Sequence, residues 1–215
     1  MADSGLKLVG TLAEVAHPDG WTWDDIANIN AVTTTFASNL NIGTGEETNY
    51  IKATNFGFAI PPLATIIGFQ LSYRVRANNS GDMSRSRPFL VVGGTVTDRG
   101  ATTFATPLTS SAVDYTQGDG TDLWDFDTPT DALPTVAQIN SSDFGVQYHF
   151  DDVGAGSGDD AFVYTTYMTV FYNPSGTADL DLPAFTMSGS GTQKASGTAS
   201  MSTSAYVFKG HGYKV

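Results

Sequence analysis

The clearest pattern in the chain is a two-residue alternation from Phe69 to Arg76. Phe69, Leu71, Tyr73 and Val75 fall on one face, and Gln70, Ser72, Arg74 and Arg76 on the other. That period belongs to a half-buried antiparallel strand. Phe144, Val146, Tyr148 and Phe150 share a face in the same way. Val163 to Tyr172 is apolar or β-branched on both faces, which predicts a central strand. Strands are predicted at about 50–58, 66–77, 88–97, 143–150 and 162–172.

Polar stretches at 78–87, 98–135 and 151–161 separate these strands. The middle one is long enough to carry structure of its own, and an edge strand is predicted at Asp122–Asp127. Residues 27–40 read either as a short helix capped by Asp24 or Asp25, or as a strand through β-branched Val32–Phe36. Leu6–Leu12 is an arm or a first strand, and His17-Pro-Asp-Gly20 is a turn. After Pro174 the chain becomes rich in Gly, Ser and Thr but keeps Phe185, Met187, Met201, Tyr206 and Phe208. A flexible linker has no use for spaced large apolar residues. Three segments follow: an N-terminal arm or first strand (1–20), a main domain (21–174) and a strand-rich extension (175–215).

Composition narrows the class. Of 215 residues 40% are hydrophobic, which permits a packed core, and 23 are Gly. Glu occurs only at 14, 46 and 47, the other acidic residues being turn-favouring Asp. The balance predicts an all-β protein. A net charge of −12 opposes binding to nucleic acid or anionic membranes. Without cysteine there is no disulfide or thiolate metal site, which suits assembly in a reducing cytoplasm. No apolar run is long enough to span a membrane, and Met1–Lys7 lacks a signal-peptide pattern.

Several pieces, taken in order, resemble the β-sandwich module of tailed-bacteriophage virion structural proteins. They are Tyr50-Ile-Lys-Ala-Thr54, Phe56-Gly-Phe-Ala-Ile-Pro61, Ala64-Thr-Ile-Ile-Gly68, Val92-Gly-Gly94, Asp122-Leu-Trp124, Ile139 to Val146 and Met168 to Tyr172. The likeness covers about 21–173. Three features depart from the family pattern: Pro62 doubles the proline, Asp125 stands where the family prefers Gly, and Asp127–Gln138 is longer. The resemblance implies an antiparallel, jelly-roll-like β-sandwich in a non-enzymatic virion protein assembled in a host bacterium's cytoplasm. Capsid decoration is the leading expectation, with a homo-oligomer, a trimer by choice, contacting the major capsid protein or another virion protein. The alternative is a tail, neck or fibre component binding host-surface glycans, and the third reading is a polysaccharide depolymerase.

Candidate sites are few. All five arginines, Arg74, Arg76, Arg85, Arg87 and Arg99, lie in one stretch of an acidic chain. They read either as a subunit contact or as outward charges guarding an edge strand. Trp21, Trp23, Trp124 and Tyr115 are candidates for glycan stacking, or else core aromatics. Asp114, Asp119 and Asp122, and Asp151, Asp152, Asp159 and Asp160, offer oxygens for calcium, but without the spacing of a dedicated calcium loop. They read first as turn residues. His17, His149 and His211 have no ligand-type spacing, and His149 is expected at a surface or interface. No nucleophile elbow, phosphate loop or dinucleotide motif is present. The sequence assigns no catalytic, cofactor or metal residue.

Overall fold

The computed structural model describes residues 1–30, 34–101, 107–125, 132–154 and 158–175. The predicted extension, from residue 176 on, lies outside them, as do Phe126 and Asp127 of the predicted edge strand. The described chain forms β1 (Ala2–Asp3), β2 (Lys7–Leu8), β3 (Thr11–Val15), β4 (Gly20–Trp21), β5 (Ala37–Ile42), β6 (Glu47–Thr48), β7 (Tyr50–Thr54) and β8 (Thr65–Ala77). There follow β9 (Met83–Arg85), β10 (Phe89–Val92), β11 (Thr95–Gly100), β12 (Val113–Gly118), β13 (Gly145–Tyr148), β14 (Phe150–Asp152) and β15 (Asp159–Asn173). A 3₁₀ turn at Ile26–Asn30 and a one-turn helix α1 (Val136–Ile139) complete them.

The first layer is built around β15. One of its edges pairs with β8, and the other pairs in turn with β5, β2 and β1, while β12 lies outside β8. The second layer runs β11-β10-β13-β7-β3 and continues as β9-β14-β6-β4. Only His149 separates β13 from β14, and only Asn49 separates β6 from β7. The layer thus consists of two hydrogen-bonded sheets, and the chain passes between them at those two residues, the crease of the layer. Every pairing is antiparallel except β4 with β6. The result is an antiparallel β-sandwich, all-β as the composition predicts and a sandwich as the resemblance implies.

The lack of alternation in β15 has a local cause. Val163 pairs with Val75 and Thr165 with Arg74, which leaves Tyr164 as an extra residue in a bulge. Ala161 and Val163 face inward before the bulge, and Thr166, Met168 and Val170 after it. The phase switch and the burial of Phe162, Thr165 and Thr169 on the other face together make the strand read as apolar or β-branched on both.

Aromatic residues join the layers. Tyr73 of β8 stacks on Tyr148 of β13 with centroids 5.4 Å apart and planes 8° apart. Burial pushes both phenols well above the usual tyrosine range. Tyr73 donates to Gln117, and Tyr148 is hydrogen-bonded to Thr166, so neither hydroxyl is stranded. Phe56 and Phe58 stack at 5.8 Å, as the Gly between them allows.

Three expectations need correction. Residues 122–125 form a turn rather than an edge strand, with Trp124 at φ 52° and Asp125 at φ 63°. The turn drives the Trp124 indole into the core, where it donates to the Phe69 carbonyl at 2.9 Å. The left-handed backbone explains a preference for Gly at 125, and Asp is among the residues that tolerate it. In the second, the structure expected within the long polar stretch is a full strand, β12, at a position not predicted. In the third, residues 27–40 hold both a 3₁₀ turn and, later than predicted, β5; residues 31–33 lie outside the described set.

Gly145 shows how closely β13 and β7 approach. A Cβ there would sit 2.0 Å from the Ala53 carbonyl oxygen and 2.8 Å from the Thr54 Cα. Both are backbone atoms that cannot rotate away. Gly145→Ala is expected to destabilise the protein by about 3 kcal/mol or more, read as a lower denaturant midpoint. An unchanged midpoint would refute this packing.

Candidate functional site

The outward face of the first layer carries a shallow groove of about 490 Å³. Three neighbouring strands supply it. Asp114 and Thr116 of β12 lie opposite Arg74 and Ser72 of β8, which in turn lie opposite Thr165 and Tyr167 of β15. The outward half of the Phe69–Arg76 alternation thus forms the middle row. The bulge at Tyr164 brings Thr165 and Tyr167 onto this face, and Leu6 closes the side between β1 and β2. Arg74 Nη1 holds Asp114 Oδ2 at 3.2 Å, with both side chains open to solvent. The groove therefore offers a guanidinium, a carboxylate, the hydroxyls of Ser72, Thr116 and Thr165, and the phenol ring of Tyr167. It can hydrogen-bond a neutral polyol in both senses while covering an apolar face.

Most sequence-derived candidates sit elsewhere. Of the arginines, only Arg74 lines the groove. Arg76 lies 3.8 Å over the Phe162 ring and donates to Tyr164 Oη. Arg85 is buried, 4.4 Å over the Tyr115 ring. Arg87 pairs with Asp125, and Arg99 with Asp98 at 3.2 Å. Of the five, Arg85 is buried, Arg76, Arg87 and Arg99 are half-buried and Arg74 is exposed. Trp23 and Trp124 are buried, and their indoles donate to the carbonyls of Asn49 and Phe69. Tyr115 packs against the core under Arg85. Trp21 is exposed, and its indole nitrogen donates to Glu46.

The acidic residues divide. Asp119 Oδ1 accepts from Thr121 N, Thr121 Oγ1 and Asp122 N, and these bonds, led by the Thr121 amide, hold its carboxyl below the usual range. It is a turn residue. Asp160 Oδ1 accepts from Asn41 N at 2.9 Å. Asp152 and Asp159 are buried, and an oxygen of each (Oδ2) has no hydrogen-bond partner. Burial, then the charges of Asp159, Asp82 and Glu46, raise the Asp152 carboxyl, against one bond from Gly154 N.

The histidines need correction too. His149 is 8% exposed, not a surface residue. It lies on the crease beside His17, their rings stacked at 5.3 Å, with Glu47 between the two Nε2 atoms and Asp151 beside His149. Spacing in the sequence gave no hint of this, because the strand order alone brings residues 17, 47 and 149 together. His211 lies outside the described residues.

No family model matches the chain, and no curated protein does. The virion family implied by the motif order thus gains no support, whereas the sandwich itself is observed. Among solved structures, the chain is similar to the family 11 carbohydrate-binding module of a cellulosomal cellulase of Clostridium thermocellum. There the identity is 11% and the TM-score 0.38, over 80% of this chain and 98% of the other. It is also similar to the N-terminal cellulose-binding domain of a β-1,4-glucanase of Cellulomonas fimi, at 13% identity and TM-score 0.34, over 78% and 98%. A xylan-binding module follows, with 14% identity and TM-score 0.31, over 75% and 96%.

The raised Asp152 carboxyl has a testable consequence. Its folded-state value exceeds its unfolded one, so ionised Asp152 weakens the fold above that window and not below it. Asp152→Asn keeps an oxygen for Gly154 N and removes the charge. In the presence of a chelator it is expected to raise Tm at pH 7 by about 2 to 4 °C. The gain should vanish as pH falls below the ordinary carboxylate range. A loss of Tm at pH 7 would contradict the assignment, and thermal melts from pH 3 to pH 7.5 decide it.

Proposed function

We propose that this protein is a non-catalytic, glycan-binding β-sandwich and that the groove on the first layer is its binding surface. The observation that carries the reading is the row Asp114/Thr116, Arg74/Ser72, Thr165/Tyr167 across three strands. A sugar presents hydroxyls around an apolar ring face, and this row matches both. Asp114 is the one carboxylate among the groove residues, and it is paired with Arg74. Glycoside hydrolysis needs two carboxyl groups flanking the bond, so this groove binds without cleaving. The chain's net charge of −12 favours a neutral glycan over an anionic one. Within a virion, the setting implied by the motif resemblance, such a groove suits a tail or fibre component better than capsid decoration. A few copies per particle, not hundreds, belong to that setting.

Calorimetric titration with soluble cello- and xylo-oligosaccharides and with host-surface polysaccharide tests the reading. At least one is expected to bind, with no release of reducing ends. Tyr167→Ala is expected to weaken binding about tenfold, equivalent to about 1.4 kcal/mol. Arg74→Ala is expected to weaken it comparably. No binding to any of these glycans, or undiminished binding in a folded Tyr167→Ala/Arg74→Ala double variant, overturns the proposal.

A further inference from the structure

Two imidazoles and two carboxylates converge on the crease of the second layer. His17 comes from the turn between β3 and β4, Glu47 from β6, His149 from the break between β13 and β14, and Asp151 from β14. His17 Nε2 lies 2.8 Å from Glu47 Oε2. His149 Nε2 lies 3.1 Å from that same oxygen and 3.1 Å from Asp151 Oδ1. The ligating atoms of His17, Glu47 and His149 all fall within 4.8 Å of one another.

Glu47 Oε2 and Asp151 Oδ1 are buried and have imidazole Nε2 atoms close by but no aligned hydrogen bond, and His149 Nδ1 has no hydrogen-bond partner. The His149 side chain is 9% exposed and that of His17 15%. Orphaned polar atoms in a native fold are rare enough to need a cause. Here His17 Nε2, Glu47 Oε2 and His149 Nε2 lie close to one another, and Asp151 Oδ1 lies beside His149 Nε2.

We propose that His17, Glu47, His149 and Asp151 form a binding site for a divalent first-row transition ion, zinc being the ion their chemistry suits. Calcium and magnesium take oxygen ligands, so a site with two imidazoles disfavours them. Two nitrogens and two carboxylate oxygens fit zinc, whose bonds of about 2.0–2.2 Å set tetrahedral donors about 3.4 Å apart. The donor spacings here fall on either side of that value. The Tyr50 ring meets both imidazoles edge-on, at 4.9 and 4.8 Å, and restrains their orientation. In the metal-free state His17 Nδ1 accepts from Asp19 N at 3.4 Å, so its ring proton sits on Nε2. Metal binding takes the Nε2 lone pair, moves that proton to Nδ1 and gives up this long bond.

The site lies on the other layer from the groove and does not depend on the glycan reading. Its role is structural. It ties the turn before β4 to β6 and β14 across the crease, so metal binding adds to folding stability.

The test uses untagged full-length protein freed of metal by chelator and titrated with Zn²⁺ alone. One ion per chain is expected, with Tm rising about 5 to 10 °C at a zinc concentration ~100-fold above Kd. Cobalt is expected to give the visible absorption of a tetrahedral site. Affinity should fall as pH drops through the histidine range, because both rings must be unprotonated. His17→Ala, in a turn where it does not disturb a strand, is expected to cut affinity about 100-fold or more. Glu47→Gln should do likewise, while Tyr167→Ala in the groove leaves zinc binding unchanged. The proposal is overturned if folded wild-type protein takes up no zinc at micromolar concentration, or if His17→Ala and Glu47→Gln both bind it as tightly as wild type. A cluster held only by protonated histidines would show a pH-dependent Tm without any response to zinc, and that outcome also overturns it.

Discussion

The pairing of β8 with β15 is the constraint on which the rest of the structure depends. These are the longest strands in the described chain, and they run antiparallel from Thr65 opposite Asn173 to Ala77 opposite Ala161. Inward, the ladder presents Leu71, Tyr73 and Val75 beside Thr166, Met168 and Val170. Outward, it presents Ser72 and Arg74 beside Thr165 and Tyr167. One set of backbone bonds thus orders both the core and the groove. The bulge at Tyr164 adjusts the two faces, since without the extra residue every later side chain of β15 would point to the wrong side.

Against that ladder the second layer is pinned by rings. Tyr148 stacks on Tyr73, and Phe150 meets both edge-on at 5.9 and 6.1 Å. Phe144 lies 6.1 Å from Phe69, which Trp124 flanks at 6.4 Å. Such contacts bury large areas but need a partner for each polar tip, and Gln117, Thr166 and the Phe69 carbonyl provide them. The second layer passes from one hydrogen-bonded sheet to the next at His149 and Asn49. There Asn49 Oδ1 accepts from His17 N, and Asn49 Nδ2 donates to Glu14. The crease is therefore where strand order, and not sequence spacing, sets polar side chains side by side.

Legibility differed from element to element for physical reasons. β8 was plain because one face is buried and the other wet, which writes the strand period directly into the sequence. β7 and β13 were found through their short alternating runs. β12 was missed because Val113–Gly118 is mostly polar and held by pairing with β8 rather than by its own apolar face. The Asp122–Asp127 stretch reads as an edge strand because its large apolar residues interrupt a long polar segment, yet the left-handed backbone at 124 and 125 shows that the Trp was placed by a turn. Arginines clustered in sequence dispersed in space, since they lie on or beside different strands, β8, β9 and β11, of two layers. Arg74 reached the groove, whereas Arg85, on the facing layer, was buried over Tyr115.

The sequence by itself determined the class of fold: an all-β protein with alternating strands, Asp-rich turns, aromatic core positions and a strongly acidic balance of charge. These are properties of local period and composition, which act before any long-range contact forms. Only the tertiary structure decided the sites. The groove needs outward residues from β8, β12 and β15 in register, and the His17–Glu47–His149–Asp151 cluster needs three distant segments to meet at a crease. Register and strand order arise from the balance of packing between layers, and no single segment of the chain carries that information.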